Sequence, residues 1–160
     1  MRSKQHHLPD SEYKGERTVS FTACVVPRRS VFVTPEIVEP LVKILGGCTY
    51  RFSCFVPIYC FMPDHLHVML KGIGFEGMPM EAMKSFKRLS GQHFSRCRFD
   101  FGWQVNFHDH IVRSREDWRG QARYIALNPV RAGLCEDIFD YPFTGSIGTD
   151  LKEIVSPLDP

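Results

Sequence analysis

The chain has 160 residues, 43% hydrophobic and 24% charged, which fits one globular domain with a real core. No apolar run nears the ~20 residues of a membrane span, and the opening "MRSKQHHLPD" lacks the apolar stretch of a signal peptide, so a cytoplasmic protein is expected. The net charge of +2 is uneven: Glu81 to Arg131 carries ten Lys/Arg against five acids, whereas Ala132 to Pro160 has one lysine against six acids, so the middle of the chain can attract a polyanion.

Residues 1–16 are polar and are expected to be a flexible N-terminal segment. The domain itself is expected over 17–148, with a C-terminal tail at 149–160. Arg17 to Val26, "RTVSFTACVV", reads as a first strand. Thr34-Pro35-Glu36 then supplies an N-cap, a proline at the first helical position and an acid in the first turn. Ile37, Val38, Leu41, Val42 and Leu45 follow at helical spacing, and Gly46-Gly47 is expected to stop that helix. Tyr50 to Phe61 predicts a second strand, with Pro57 at a bulge or an edge. A turn at Met62-Pro63-Asp64 leads into a third strand, "HLHVML". Lys71 to Gly77 is a glycine-rich loop.

Pro79 to Arg98 predicts a second helix. Its apolar side is Met83, Phe86, Leu89, Phe94 and Cys97, and its basic side is Lys84, Lys87, Arg88, Arg96 and Arg98. Trp103 to Arg113 predicts a fourth strand with its approach. Ser114 is expected to cap a third helix, which must end near Asn128 because Pro129 disfavours helical geometry before it. The six cysteines show no CxxC spacing, so a cysteine-held zinc is not expected and most read as small buried hydrophobes. The order strand, helix, strand, strand, helix, strand is that of an α+β, ferredoxin-like split βαβ domain. Both main helices then cover one face of an antiparallel sheet, and a third helix lies near the open face.

Alternation along the third strand sends Leu66, Val68 and Leu70 to one face and His65 and His67 to the other. Two imidazoles at i and i+2 can bind one metal ion, or they can be half-exposed surface histidines. Tyr124 and Asn128, four residues apart, share a face of the third helix, and Gln121 joins them. The amide oxygen of Asn128 can serve as a third ligand. Such mixed nitrogen and oxygen ligation suits Mn2+, with Mg2+ less natural beside imidazole. Tyr124 then lies one helical turn from the ion, either as a nucleophile toward a metal-bound phosphate or as a ring that fills space. His108 and His110 form a second HxH, which can make a dinuclear or alternative metal site. His110 reads best as a packed or DNA-facing residue near the site. Tyr59, on the neighbouring strand, is the rival nucleophile. The basic residues Lys84, Lys87, Arg88 and Arg96, with Arg113, Arg115 and Arg123 around the third helix, form either an ordinary solvated face or, beside a phosphate-directed site, a surface for a DNA backbone.

"PDHLHVML" resembles the HUH motif, and "YIALNPVRAGL", Tyr124 to Leu134, resembles the tyrosine motif of the single-tyrosine HUH transposases. With "VSFTACVVPRRSVF", "SFKRLSGQHF", "WQVNFHDHIVR" and "YPFTGSIG" in order, the chain from about Arg17 to Ile147 is most similar to the REP-associated tyrosine transposases of the insertion-sequence-200-like superfamily. The resemblance implies a metal-dependent strand-transferase that cleaves and rejoins single-stranded DNA beside a hairpin or palindromic element. His65, His67 and Asn128 would hold Mg2+ or Mn2+, and Tyr124 would form a 5′-phosphotyrosine link. Gln121 and His110 would lie just outside the metal ligands. The protein would act as a monomer or a homodimer. Gly120 departs from the pattern, inside the tyrosine helix. Two other functions keep the same residues in play. One is a domesticated sequence-specific nucleic-acid-binding protein without transposition activity. The other is a replication-initiator-like nickase.

Overall fold

The first strand forms where β-branched and aromatic residues are densest. The computed structural model, which describes residues 7–113 and 117–156, places β1 at Thr18–Val26 and buries Val19, Phe21, Ala23 and Val25 on alternate positions. Helix α1 (Pro35–Arg51) starts after Thr34 with proline in its first turn. It runs through Gly46-Gly47 rather than stopping there. Leu45, Cys48 and Thr49 are buried along it, and the Thr49 hydroxyl donates to the Leu45 carbonyl at 3.0 Å. That packing outweighs the roughly 1 kcal/mol that each glycine costs inside a helix. Strand β2 (Cys54–Met62) therefore begins four residues later than expected. Its register against β3 shifts between Phe55 and Ile58, which makes Pro57 part of a bulge.

After the turn at Pro63-Asp64, β3 (His65–Gly72) buries Leu66, Val68 and Leu70 completely. Each such side chain contributes about 1.5–3 kcal/mol, enough to hold the strand's register and so the direction of both histidines. Helix α2 (Pro79–Arg96) follows. The expected fourth strand is split into β4 (Gly102–Trp103) and β5 (His108–Val112), both antiparallel to β1. Between them the chain bulges outward. The Lys87 ammonium takes the Gln104 and Val105 carbonyls at 2.7 and 3.1 Å, which leaves the Val105 side chain 93% exposed.

Helix α3 (Trp118–Ala126) has Asp117 at its N-cap. Ser114, the expected cap, lies outside the described residues. After Leu127 a short α4 (Asn128–Arg131) restarts the helix, because Pro129 cannot continue α3 but fits a first turn. Gly133, at φ +74°, ends α4. The Gly133 and Leu134 amides donate back to the Val130 and Pro129 carbonyls at 3.0 and 2.9 Å, a Schellman closure. Strand β6 (Thr144–Ile147) adds to the free edge of β2, and α5 (Leu151–Val155) closes the described chain.

The strand order is β4 and β5 together, then β1, β3, β2 and β6, antiparallel throughout. This is the expected ferredoxin-like α+β arrangement with one added strand. Helices α1 and α2 pack on each other and on the sheet, and α3 packs on β2 and β3.

Both ends of the domain carry buried side chains among the described residues. The segment up to Glu16 was expected to be flexible, yet Tyr13 is buried, and its hydroxyl donates to Asp109 at 2.5 Å. The segment from 149 was expected to be a tail, yet Ile154 and Val155 of α5 are buried. In both places one or two apolar side chains anchor an otherwise polar stretch.

Candidate active site

The site begins with strand pairing. Thr22 of β1, His67 of β3, Cys60 of β2 and Thr144 of β6 are opposite one another across four strands, with His108 of β5 beyond Thr22. Residues directly opposite in antiparallel strands share a face, so this row, with His65 one step along β3, lines the side away from Leu66 and Val68. On that face Ile58, Cys60 and Met69 are fully buried, where α3 lies on β2 and β3. Thr22 is half-buried, and His108 and His110 are exposed. The face expected to be open is thus covered over its β2–β3 half and open over its β1–β5 half. The small side chains of Ala122 and Ala126, both fully buried, let α3 approach that closely.

On this face the two Nε2 atoms of His65 and His67 lie 3.1 Å apart, with the rings nearly perpendicular. Each ring's other nitrogen has a partner. His65 Nδ1–H donates to Asp64 Oδ1 at 2.6 Å, which fixes its tautomer, because a carboxylate only accepts. His67 Nδ1 meets the Thr22 hydroxyl at 3.0 Å. Asp64 is held in turn by Arg28, whose Nε and Nη2 both reach Oδ2 at 3.0 Å. Burial pushes the Asp64 carboxyl up, but hydrogen bonds from His65 and Arg28 outweigh it and hold it below its ordinary value. Burial, with His65 and Arg131 nearby, pushes His67 down to about 4, so its imidazole is neutral at physiological pH.

Such a pair fits a cation. In a neutral ring whose Nδ1 donates to Asp64, His65 Nε2 has a lone pair, and 3.1 Å from it His67 Nε2 offers either a proton, shared as a hydrogen bond, or a second lone pair. Two lone pairs at that distance need a positive charge between them. Two imidazole nitrogens this close could both reach one ion at ordinary nitrogen-to-metal distances of about 2.0–2.1 Å. Partners on the outer nitrogens are the usual means of orienting metal-binding histidines. Among the described residues no third His, Cys, Asp or Glu completes a cluster with them. An amide oxygen can serve as a further protein ligand.

Asn128 is half-buried at the start of α4, and its Oδ1 accepts from Arg131 Nη2 at 2.6 Å. That oxygen keeps a second lone pair. Arg131 also lies with its Cζ 3.8 Å from the centre of the Tyr124 ring. Tyr124, near the end of α3, is 65% exposed. Tyr124, Asn128 and Arg131 thus form one group, and the charge of Arg131 reaches His67. Gln121 sits half-buried on α3. Gly120 has the exposed Asp117 carboxylate lying close over it.

Tyr59, the rival nucleophile, is opposite Val68 and so faces α1, lining a cavity of about 340 Å3 with Val38 and Val42. Its ring lies against Gly145, where a Cβ would come within 2.4 Å of the hydroxyl, and burial pushes its phenol up. It is on the wrong side of the sheet. His108 is separated from His67 by the whole of β1, roughly 10 Å at two strand spacings, so the second HxH does not share an ion with the first.

The basic residues divide. Arg88, Arg96 and Arg113 are exposed. Lys84 is exposed and pairs with Glu81 at 3.2 Å and Asp10 at 3.7 Å. Lys87 differs from these: it is half-buried, gives its ammonium to the two loop carbonyls and lies 5.0 Å from the centre of the Phe107 ring. Arg123 is also turned inward, donating to the Val155 and Ser156 carbonyls at 2.9 and 2.8 Å. Arg115 lies outside the described residues. Sequence reasoning missed Asp64, Arg28, Thr22 and Arg131. Asp64 lies inside the motif and was legible there. The others depend on strand pairing or on the turn between α3 and α4.

The fold and site define a ferredoxin-like domain with a paired-histidine strand and a tyrosine-bearing helix on the same side of the sheet. No family model matches the chain. It is similar to the REP-associated tyrosine transposase of Escherichia coli K12, with 23% identity over 87% of this chain and 81% of that protein. It is also similar to a candidate REP-associated tyrosine transposase of Haemophilus influenzae, with 26% identity over 87% of this chain and 84% of that one. A solved REP-associated tyrosine transposase bound to a REP hairpin has the same fold, with a TM-score of 0.70 and 22% identity over 90% of this chain and 82% of that one. The similarity to REP-associated tyrosine transposases thus runs over most of the chain.

Proposed function

We propose that this protein is a DNA transposase that cleaves and rejoins single-stranded DNA through Tyr124. The observation that carries the reading is the pair of Nε2 atoms of His65 and His67 converging at 3.1 Å, each ring held from behind by Asp64 or Thr22. A strand with two surface histidines has no need of that arrangement. His65, His67 and the Asn128 amide would hold a divalent ion, Mn2+ or Mg2+, which when bound supplies charge neutralisation at the scissile phosphate.

The chain's own residues do the rest. Neutral His67 keeps a lone pair available at physiological pH. Asp64 and Thr22 keep both rings turned toward the site. Tyr124 Oη attacks phosphorus and gives up its proton to water. The bond from phosphorus to the 3′-oxygen breaks, and that oxygen takes up a proton as a free 3′-OH. The downstream fragment is left joined to Tyr124 through its 5′ phosphate. The phosphodiester energy is kept in that link, so another strand's 3′-OH can reverse the step without ATP. Arg88, Arg96, Arg113 and Lys84 offer exposed charge for the backbone. The hairpin named for the solved relative points to a hairpin-bearing DNA as partner.

The test is to incubate the protein and a Tyr124→Phe variant with 5′-labelled and 3′-labelled strands from the DNA flanking its gene. A denaturation-resistant species should form with the wild type and carry only the 3′ label, and the variant should form none while still binding. Binding without any covalent species would favour the domesticated binding protein. An adduct formed by Tyr124→Phe would place the nucleophile elsewhere.

A further inference from the structure

We infer that Arg131 is a positioning residue that holds the Tyr124 ring and the Asn128 amide in one fixed arrangement for attack. This rests on the cleavage reading above. One guanidinium makes three contacts. Its Cζ lies over the Tyr124 ring, 3.8 Å from the centre. Its Nη2 donates to the Asn128 Oδ1 at 2.6 Å and to the Tyr124 carbonyl at 2.8 Å. The two contacts to Tyr124 bridge the break between α3 and α4, which Pro129 imposes, and the contact to Asn128 lies within α4.

The need for such a clamp follows from exposure. A tyrosine 65% open to solvent on a helix end has several staggered rotamers open to it. A planar cation stacked on the ring restricts them, and the same group turns the Asn128 oxygen. Arg131 is placed by its own short helix, closed by the Gly133 turn. It is exposed and contributes nothing to the core. The plain structural alternative is that Arg131 only caps α3, by satisfying the Tyr124 carbonyl. The two differ in what happens at the ring.

Arg131→Ala and Arg131→Lys separate them. Lysine keeps the charge but lacks the planar fork. In DNA-free protein, nitration by tetranitromethane is read peptide by peptide, with Tyr50, 90% exposed and remote in sequence, as internal reference. Tyr124 nitration relative to Tyr50 should rise severalfold in both variants. An unchanged ratio would overturn the inference. In single-turnover cleavage of a labelled strand, both variants should lose about a hundredfold in rate, the scale of a misplaced reacting group, with strand affinity unchanged for Arg131→Lys. Full recovery of rate by lysine would mean that charge alone matters and would also overturn it. A wild type that makes no adduct sinks the cleavage reading instead, and the nitration ratio still decides whether Arg131 holds the ring.

Discussion

The histidine strand and the basic side of α2 are both polar patterns written on apolar elements, and they turn out differently. On β3 the pattern delivers what it announces. His65 and His67 stand side by side, and every ring nitrogen has a partner or faces the other ring. On α2 the pattern misleads at Lys87, whose ammonium is folded back onto the carbonyls of the β4–β5 bulge. A strand's alternation has a period of two, so once three neighbours are buried the remaining side chains have one direction left. A lysine has four rotatable carbons and can reach a buried carbonyl from a helix face that reads as solvated.

The sharpest way to break this contrast is at His67. His67→Ala should abolish cleavage while leaving the fold intact, measured by covalent capture and by thermal melting. A variant that cleaves at the wild-type rate would make the pair an ordinary surface feature. Next in size is Asp64→Asn, which replaces the carboxylate that fixes the His65 tautomer. Metal affinity should fall about 10–100-fold, read by Mn2+ titration of strand cleavage. An unchanged titration would remove Asp64 from the site.

The α2 side calls for the opposite outcome. Lys87→Met should leave the Gln104 and Val105 carbonyls without their donor and destabilise the domain by about 1–3 kcal/mol, measured by urea unfolding. Burial pushes the Lys87 ammonium down from 10.5 to about 8. Between those values the unfolded chain holds the extra proton, so the wild type should gain stability relative to Lys87→Met as pH rises through that window. A difference flat in pH would mean the ammonium titrates normally. The smallest effect is expected at Arg88. Arg88→Gln should change stability by less than about 0.5 kcal/mol and lower the salt slope of DNA binding by about one. An unchanged slope would make Arg88 only a solvated side chain.

These contrasts also mark what could be read from the residues. Alternation exposed the histidine pair, and four-residue spacing exposed Tyr124 with Asn128, because both are local periodicities. Pro129 marked the end of the tyrosine helix for the same reason. The run of α1 through Gly46-Gly47 was hidden, since it depends on burial of Cys48 and Thr49 against elements far along the chain. Thr22 behind His67 depends on β1–β3 register, and Arg28 on where the loop after β1 passes Asp64. Strand β6 is only four residues long and gains its place from the open edge of β2. Arg131 lay inside the quoted motif but acquires its role only from the turn between α3 and α4.

The most direct test maps the covalent bond itself. Wild-type protein is allowed to react with its flanking single strand and Mn2+, denatured, treated with nuclease and cut with trypsin, and the peptides are weighed. The account predicts a nucleotide attached through its 5′ phosphate to the peptide Tyr124–Arg131, with the fragmentation series placing it on Tyr124. A nucleotide on any other peptide, or none on a protein that has cleaved its strand, would contradict it.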